Sequence, residues 1–171
     1  MVVLAHIKQK VNSFSNLLKL KNNFFSSYLD KNTTVFLKSN TRNDVIQEIV
    51  DYTYEAGKIK NKDFFLKKVM QREKIVSTAI GLSIAIPHAK SNDIDDFFIS
   101  IGIQKKHNIK WPSIDNLGVR LVFLIGGPDN RQNEYLQLLS KLTSFIKDEK
   151  VRKNLLKSNS KEDILTIFNQ I

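Results

Sequence analysis

Val119-Arg120-Leu121-Val122-Phe123-Leu124-Ile125-Gly126-Gly127-Pro128-Asp129 reads as a buried strand that ends abruptly. Its apolar run is nearly unbroken, is too short for a core helix, and stops at glycine and proline. The Gly126-Gly127 pair is read as a strand exit that permits backbone angles other residues avoid, rather than as a nucleotide loop, since no Lys-Ser/Thr follows. A helical pattern comes next, with Tyr135, Leu138, Leu139, Leu142, Phe145 and Ile146 on one face. Upstream, Phe97–Ile103 repeats the strand signature. Apolar strands alternating with amphipathic helices predict an α/β sandwich.

Nearer the N-terminus, Val35-Phe36-Leu37 reads as a short strand or extended entry. Thr41-x-x-Asp44 forms a capping box ahead of Val45, Ile49, Tyr52 and Ala56, and Gly57 stops that helix. Asn61 caps a second helix in which Phe65, Val69 and Arg72 share a face. Arg72 is thereby brought to a helix end, just ahead of a turn over Ser77–Gly81. At the other end, Val151, Leu155 and Leu156 mark one short helix. Ser160-x-x-Asp163 caps another, which carries Ile164, Ile167, Phe168 and Ile171. Residues 1–24 form a basic extension, with Val3, Ile7, Val11, Phe14 and Leu18 spaced for an amphipathic helix. Residues 25–171 form the domain proper.

The 171 residues suit one domain with a substantial core, and 42% of them are apolar. With no cysteine, disulfides, thiol catalysis and thiolate metal sites are excluded. No stretch approaches the ~18 apolar residues of a membrane span. The apolar residues of Met1–Lys8 precede the lysine, opposite to signal-peptide order, so a cytoplasmic, non-integral protein is expected. The net charge of +10 raises the question of nucleic acid. Residues 1–40 hold six lysines against Asp30 alone, while the remainder mixes both signs. Recognition helices and aromatic-lysine sheet patterns are missing, so direct nucleic-acid binding is not expected.

The chemistry centres on Ile84-Ala85-Ile86-Pro87-His88-Ala89-Lys90. Pro87 fixes one backbone dihedral and so aims the next side chain. A neutral imidazole, with a pKa near 6.5, can take a phosphoryl group on one ring nitrogen while a hydrogen bond holds the other. Arg72 offers a planar set of donors for phosphoryl oxygens, and backbone N–H groups around residues 88–91 could join it. Lys90 adds long-range charge or marks a rim touched by a partner. As lone residues, His88 reads first as a structural histidine and Arg72 as half of an ion pair. The other histidines, His6 and His107, lack ligand spacing, so no metal is expected. Asp93, Asp95 and Asp96 read as a hydrated loop, and Trp111-Pro112 as loop packing. Neither Ser77 nor Ser83 carries the marks of a triad serine.

Taken together, Gln71-Arg72-Glu73, Ser77-Thr78-x-Ile80-Gly81 and the Ile-Pro-His core resemble the fructose/mannitol-type enzyme IIA domains of the bacterial phosphotransferase system, a group that includes the nitrogen-regulatory IIA proteins. The resemblance spans roughly residues 25–171 and implies a mixed β-sheet sandwiched between helical layers. It implies that His88 accepts phosphate from the histidine phosphocarrier protein, that Arg72 stabilises it, and that no cofactor is needed. The onward partner would be an enzyme IIB cysteine or regulatory protein targets, with a homodimer also conceivable. The family commonly places a second active-centre histidine where this chain has Tyr135. Tyrosine can donate a hydrogen bond there but cannot become an imidazolium, which puts onward transfer in question. Together with the basic extension, that substitution favours a nitrogen-regulatory-like phosphoryl carrier, the alternative being a fructose/mannitol-specific enzyme IIA serving sugar uptake.

Overall fold

The computed structural model describes residues 24–169. The helix expected over residues 3–18 and the position of His6 lie outside them. Six strands form one mixed sheet: β1 (Leu29–Phe36), β2 (Ala79–Gly81), β3 (Ile84–Ala85), β4 (His88–Lys90), β5 (Phe98–Ile103) and β6 (Leu121–Gly127). The order is β1-β5-β6-β3-β2, and β4 also pairs with β6, beyond β3 along the same edge. The β5–β6 and β2–β3 pairs are antiparallel; β1–β5, β3–β6 and β4–β6 are parallel.

Helices cover both faces, as the predicted sandwich requires. On one face, α1 (Arg42–Glu55) and α2 (Lys62–Ile75) pack Val45, Ile49, Phe65 and Val69 against Val122, Leu124 and Phe98. On the other, α3 (Gln132–Ile146), α4 (Glu149–Lys157) and α5 (Lys161–Asn169) pack Leu138, Leu142, Leu155 and Phe168 against Leu121, Phe123, Ile125, Ile99 and Ile101. Successive β6 side chains therefore enter opposite cores, which is why the strand reads as an apolar run instead of alternating. No helix among the described residues is long and apolar enough to cross a membrane.

The local signals act where expected. Thr41 caps α1 through the Asp44 N–H, and Asn61 caps α2 through the Phe64 N–H. Gly57 adopts φ +72° just past α1. Ser160 and Asp163 exchange cap hydrogen bonds at the start of α5.

Three expectations need correction. The first strand begins at Leu29, well before Val35: Leu29 pairs with Ile99 of β5, and regular pairing resumes at Thr34 after an irregular polar stretch in which buried Thr33 donates to the Asp30 and Ile99 carbonyls. β6 does end at Gly127, but Gly126 and Gly127 are still paired residues of the strand and neither has a positive φ. A Cβ on Gly126 would come within 2.2 Å of Phe98, and one on Gly127 within 2.0 Å of Phe97. These glycines make room for aromatic rings, not for unusual dihedrals. The turn assigned to Ser77–Gly81 falls at Leu82-Ser83, where both residues have positive φ (56° and 62°) between the paired Gly81 and Ile84. A two-residue hairpin with that geometry normally uses Asn or Gly. Here Asp115 accepts from the Leu82 N–H at 2.7 Å, and the Ser83 carbonyl accepts from the Arg120 and Leu121 N–H groups.

Candidate functional site

Three elements converge at the β4 end of the sheet. On α2, Phe65 and Val69 are fully buried, and Arg72 follows on that side at the last turn. Its guanidinium reaches past the helix end, donating from Nη1 to the Val76 carbonyl at 3.0 Å. The β3–β4 edge supplies His88. Pro87 interrupts the pairing to β6 without breaking it: its carbonyl accepts from the Ile125 N–H at 3.0 Å, while the Ile86 N–H turns to the Thr78 carbonyl at 3.1 Å. His88 is thus anchored directly after a residue that cannot donate. The first turn of α3 supplies Tyr135, whose ring centroid lies 5.9 Å from that of His88 at 48°.

Hydrogen bonding fixes the histidine tautomer. Nδ1 lies 2.8 Å from the Ile86 carbonyl oxygen, which can only accept, so Nδ1 carries the proton. Arg72 Nε–H points at Nε2 from 3.0 Å and can only donate, so Nε2 presents its lone pair. Burial lowers the imidazole pKa below its ordinary 6.5; the hydrogen bond to Ile86 opposes this, Arg72 lowers it further, and Glu73 opposes. The ring is consequently neutral around pH 7, with one nucleophilic nitrogen against a guanidinium. Tyr135 is only 8% exposed and stacks on Phe97 at 6.3 Å. Burial raises its phenol pKa, Arg72 partly offsetting, so it stays protonated.

Around these lies an open cleft of about 450 Å³ lined also by Lys68, Gln71, Ile75, Lys90 and Asp129. Lys68 donates to the Lys90 carbonyl at 3.0 Å and pairs with Asp129 at 3.8 Å. It lies one helical turn before Arg72, a spacing legible in the sequence but passed over. Of the backbone donors considered near residues 88–91, the Ser91 N–H is taken by the Gly127 carbonyl. Glu73, also missed, is 3% exposed and accepts from the Thr78 N–H, the Thr78 hydroxyl and Trp111 Nε1. It braces the corner that carries Arg72.

The remaining candidates lie elsewhere. Asp95 pairs with Lys60 and Asp96 with Arg131, each at 2.9 Å. Ser77 donates to the Pro112 carbonyl, and the His107 N–H leans on Gln104. A larger groove of about 540 Å³, against Phe24, Phe25 and Phe145, has no histidine in its lining. The combination of a neutral nucleophile and cationic donors belongs to the His88 cleft.

Residues 27–171 match the family model described as "Phosphoenolpyruvate-dependent sugar phosphotransferase system, EIIA 2". The chain belongs to this EIIA family. It is a phosphotransfer component of that system. A fructose-specific EIIABC component of Bacillus subtilis (strain 168) is 34% identical over 134 residues, covering 78% of this EIIA chain but only 21% of the relative. The chain thus matches about a fifth of that longer protein. A nitrogen regulatory protein of Bradyrhizobium diazoefficiens is 28% identical over 132 residues, 77% of this chain and 85% of the relative. The fold is shared with the nitrogen regulatory protein IIA-Ntr of Neisseria meningitidis, with a TM-score of 0.77 at 22% identity over 83% of this chain and 97% of that one. It is shared too with IIA mannitol of Escherichia coli, with a TM-score of 0.70 at 21% identity, covering 82% and 98%.

Proposed function

We propose that His88 Nε2 accepts a phosphoryl group from a phosphorylated histidine carrier protein and passes it to the cysteine of an EIIB domain serving uptake of a fructose-type sugar. The single observation behind this reading is the tautomer lock, which turns one lone pair toward Arg72 in an open cleft. In the forward step the Nε2 lone pair attacks phosphorus, the donor's N–P bond breaks, and its electron pair returns to the donor imidazole. Arg72 exchanges Nε2 for the equatorial phosphoryl oxygens as charge builds on them. The Ile86 carbonyl favours retention of the Nδ1 proton, which makes the phosphorylated ring a good leaving group when a thiolate attacks. Ile75, 81% exposed at the cleft, and the neighbouring Val76 offer an apolar rim for a protein donor.

The residues alone favour a regulatory carrier because Tyr135 replaces an imidazole. The fructose-specific relative, at higher identity than the nitrogen regulatory one, supports the sugar route instead. Regulation is the second reading, and Tyr135 is what favours it. Phosphotransfer from phosphoenolpyruvate, enzyme I and carrier protein to wild type and to His88→Ala, followed by addition of EIIB domains, separates the two. Labelling should require His88, and the label should pass to EIIB. Labelling retained in H88A refutes the role of His88, and a stable phosphoprotein that no EIIB discharges favours regulation.

A further inference from the structure

We infer that Lys90 is the second cation of the phosphohistidine site, supplying the positive charge that Tyr135 cannot. The assignment deepens the proposed role of His88 and rests on it. His88 and Lys90 stand two apart on β4, both half-buried on either side of buried Ala89, so their side chains leave the same face. Their Cα atoms are therefore separated by roughly 7 Å, a span that the four-carbon lysine stem covers. The ammonium already lies 5.5 Å from the centre of the Tyr135 ring, and that ring lies 5.9 Å from the His88 ring. Lys90 thus sits over the residue that occupies the place of the missing imidazole.

What holds Lys90 is equally informative. Its ammonium donates to the Gln132 side-chain oxygen, an uncharged acceptor one turn before Tyr135 on α3. An amide retains the lysine without cancelling its charge, so a phosphoryl dianion on Nε2 outcompetes it. The one carboxylate lining the cleft, Asp129, faces Lys68. Buried Glu73 is occupied by Thr78 and Trp111. Arg72 and Lys90 then flank the phosphoryl group from α2 and β4, and Tyr135 serves as an apolar floor over which the ammonium travels. A family role commonly filled from α3 is filled here from the strand.

The test uses the full chain phosphorylated in two ways, through the carrier protein and with phosphoramidate, a small donor whose N–P bond breaks with release of ammonia as the Nε2–P bond forms. In ³¹P NMR titrations, Lys90→Met should raise the pKa of the phosphohistidine phosphate by about one unit. It should also shift the phosphotransfer equilibrium with the carrier roughly tenfold toward the carrier, the size expected of a lost charge-assisted contact. Lys90→Arg should restore both, and Gln132→Ala should leave the phosphate pKa at or below its wild-type value. A merely structural lysine would not move that pKa. An unchanged phosphate pKa in K90M overturns the assignment while leaving His88 as acceptor. Labelling by phosphoramidate but not by carrier overturns the carrier reading and still reports on Lys90. If neither donor modifies His88, both ideas fall together.

Discussion

Replacing Glu73 tests how the corner carrying Arg72 is held. Glu73, Thr78 and Trp111 are all buried, at 3%, 5% and 4% exposure. Oε1 accepts from Trp111 Nε1 at 2.8 Å and from the Thr78 N–H at 3.1 Å; Oε2 accepts from the Thr78 hydroxyl at 2.6 Å. In Glu73→Ala the hydroxyl can rotate toward another acceptor, but the two N–H donors cannot. Each buried donor left unpaired costs about 1–3 kcal/mol, and partial entry of water moderates the sum, so a loss of about 2–5 kcal/mol is expected. In Glu73→Gln the amide oxygen can keep both N–H contacts, and the Thr78 hydroxyl can accept from the amide nitrogen. Only the charge assistance is lost, at about 1–2 kcal/mol. Urea unfolding followed by fluorescence of the single tryptophan, Trp111, and by circular dichroism gives both values. An E73A variant within about 0.5 kcal/mol of wild type would refute the bracing argument, given that replacing an exposed side chain usually costs no more than that. Equal losses in E73A and E73Q would show that satisfied donors are not what matters. There is a functional corollary. Glu73 acts to raise the His88 pKa, so E73Q should shift the acid limb of phosphoryl acceptance to lower pH.

Further outcomes follow from the same geometry. Because burial depresses the His88 pKa below 6.5, the acceptor is neutral at pH 7, and the initial labelling rate should be flat from pH 8 to about 6.5, falling only under more acid conditions. By linkage, the unfolded chain binds this proton first as pH falls below 6.5, so native stability drops from there down to the folded pKa; His88→Asn should remove that part of the slope in urea midpoints. Tyr135→His puts an imidazole in the buried place of the Tyr135 ring beside His88. With Lys90 filling the cationic role it should change discharge to EIIB little by itself but restore it in Lys90→Met, and failure to rescue K90M would argue against a shared role of the two positions. Gly127→Ala drives a methyl into Phe97 and should cost about 1–3 kcal/mol by overpacking; an unchanged thermal midpoint would contradict the close-approach reading of that glycine.

Much of the architecture follows from local rules that sequence expresses directly. Thr41, Asn61 and Ser160 each satisfy orphan N–H groups within a few residues of themselves, so the helix starts are visible without tertiary information. The β5 and β6 runs announce burial on both faces by their apolarity, which only Ser100 interrupts. Pro87 followed by His88 exposes a presented imidazole, and the i, i+4, i+7 spacing of Phe65, Val69 and Arg72 carries the arginine to the right helix end.

Other features depend on partners distant in the chain, and no local signal encodes those. The irregular polar start of β1 is tied to the sheet by Leu29 pairing with Ile99 and by the Thr33 hydroxyl on the Ile99 carbonyl, contacts that only β5 can supply. Leu82-Ser83 turns left-handed because Asp115 and the backbone of residues 120–121 bind it from across the fold. Gly126 and Gly127 look like a stop, yet their role appears only when the rings of Phe98 and Phe97 arrive from another strand. Glu73 looks like a surface charge until Trp111 and Thr78 enclose it. Which groups are able to react is legible residue by residue, since nucleophilicity and charge belong to side chains. Which ring nitrogen is free and which cations face it emerges with the folded chain, because hydrogen-bond direction exists only once the partners are fixed in space.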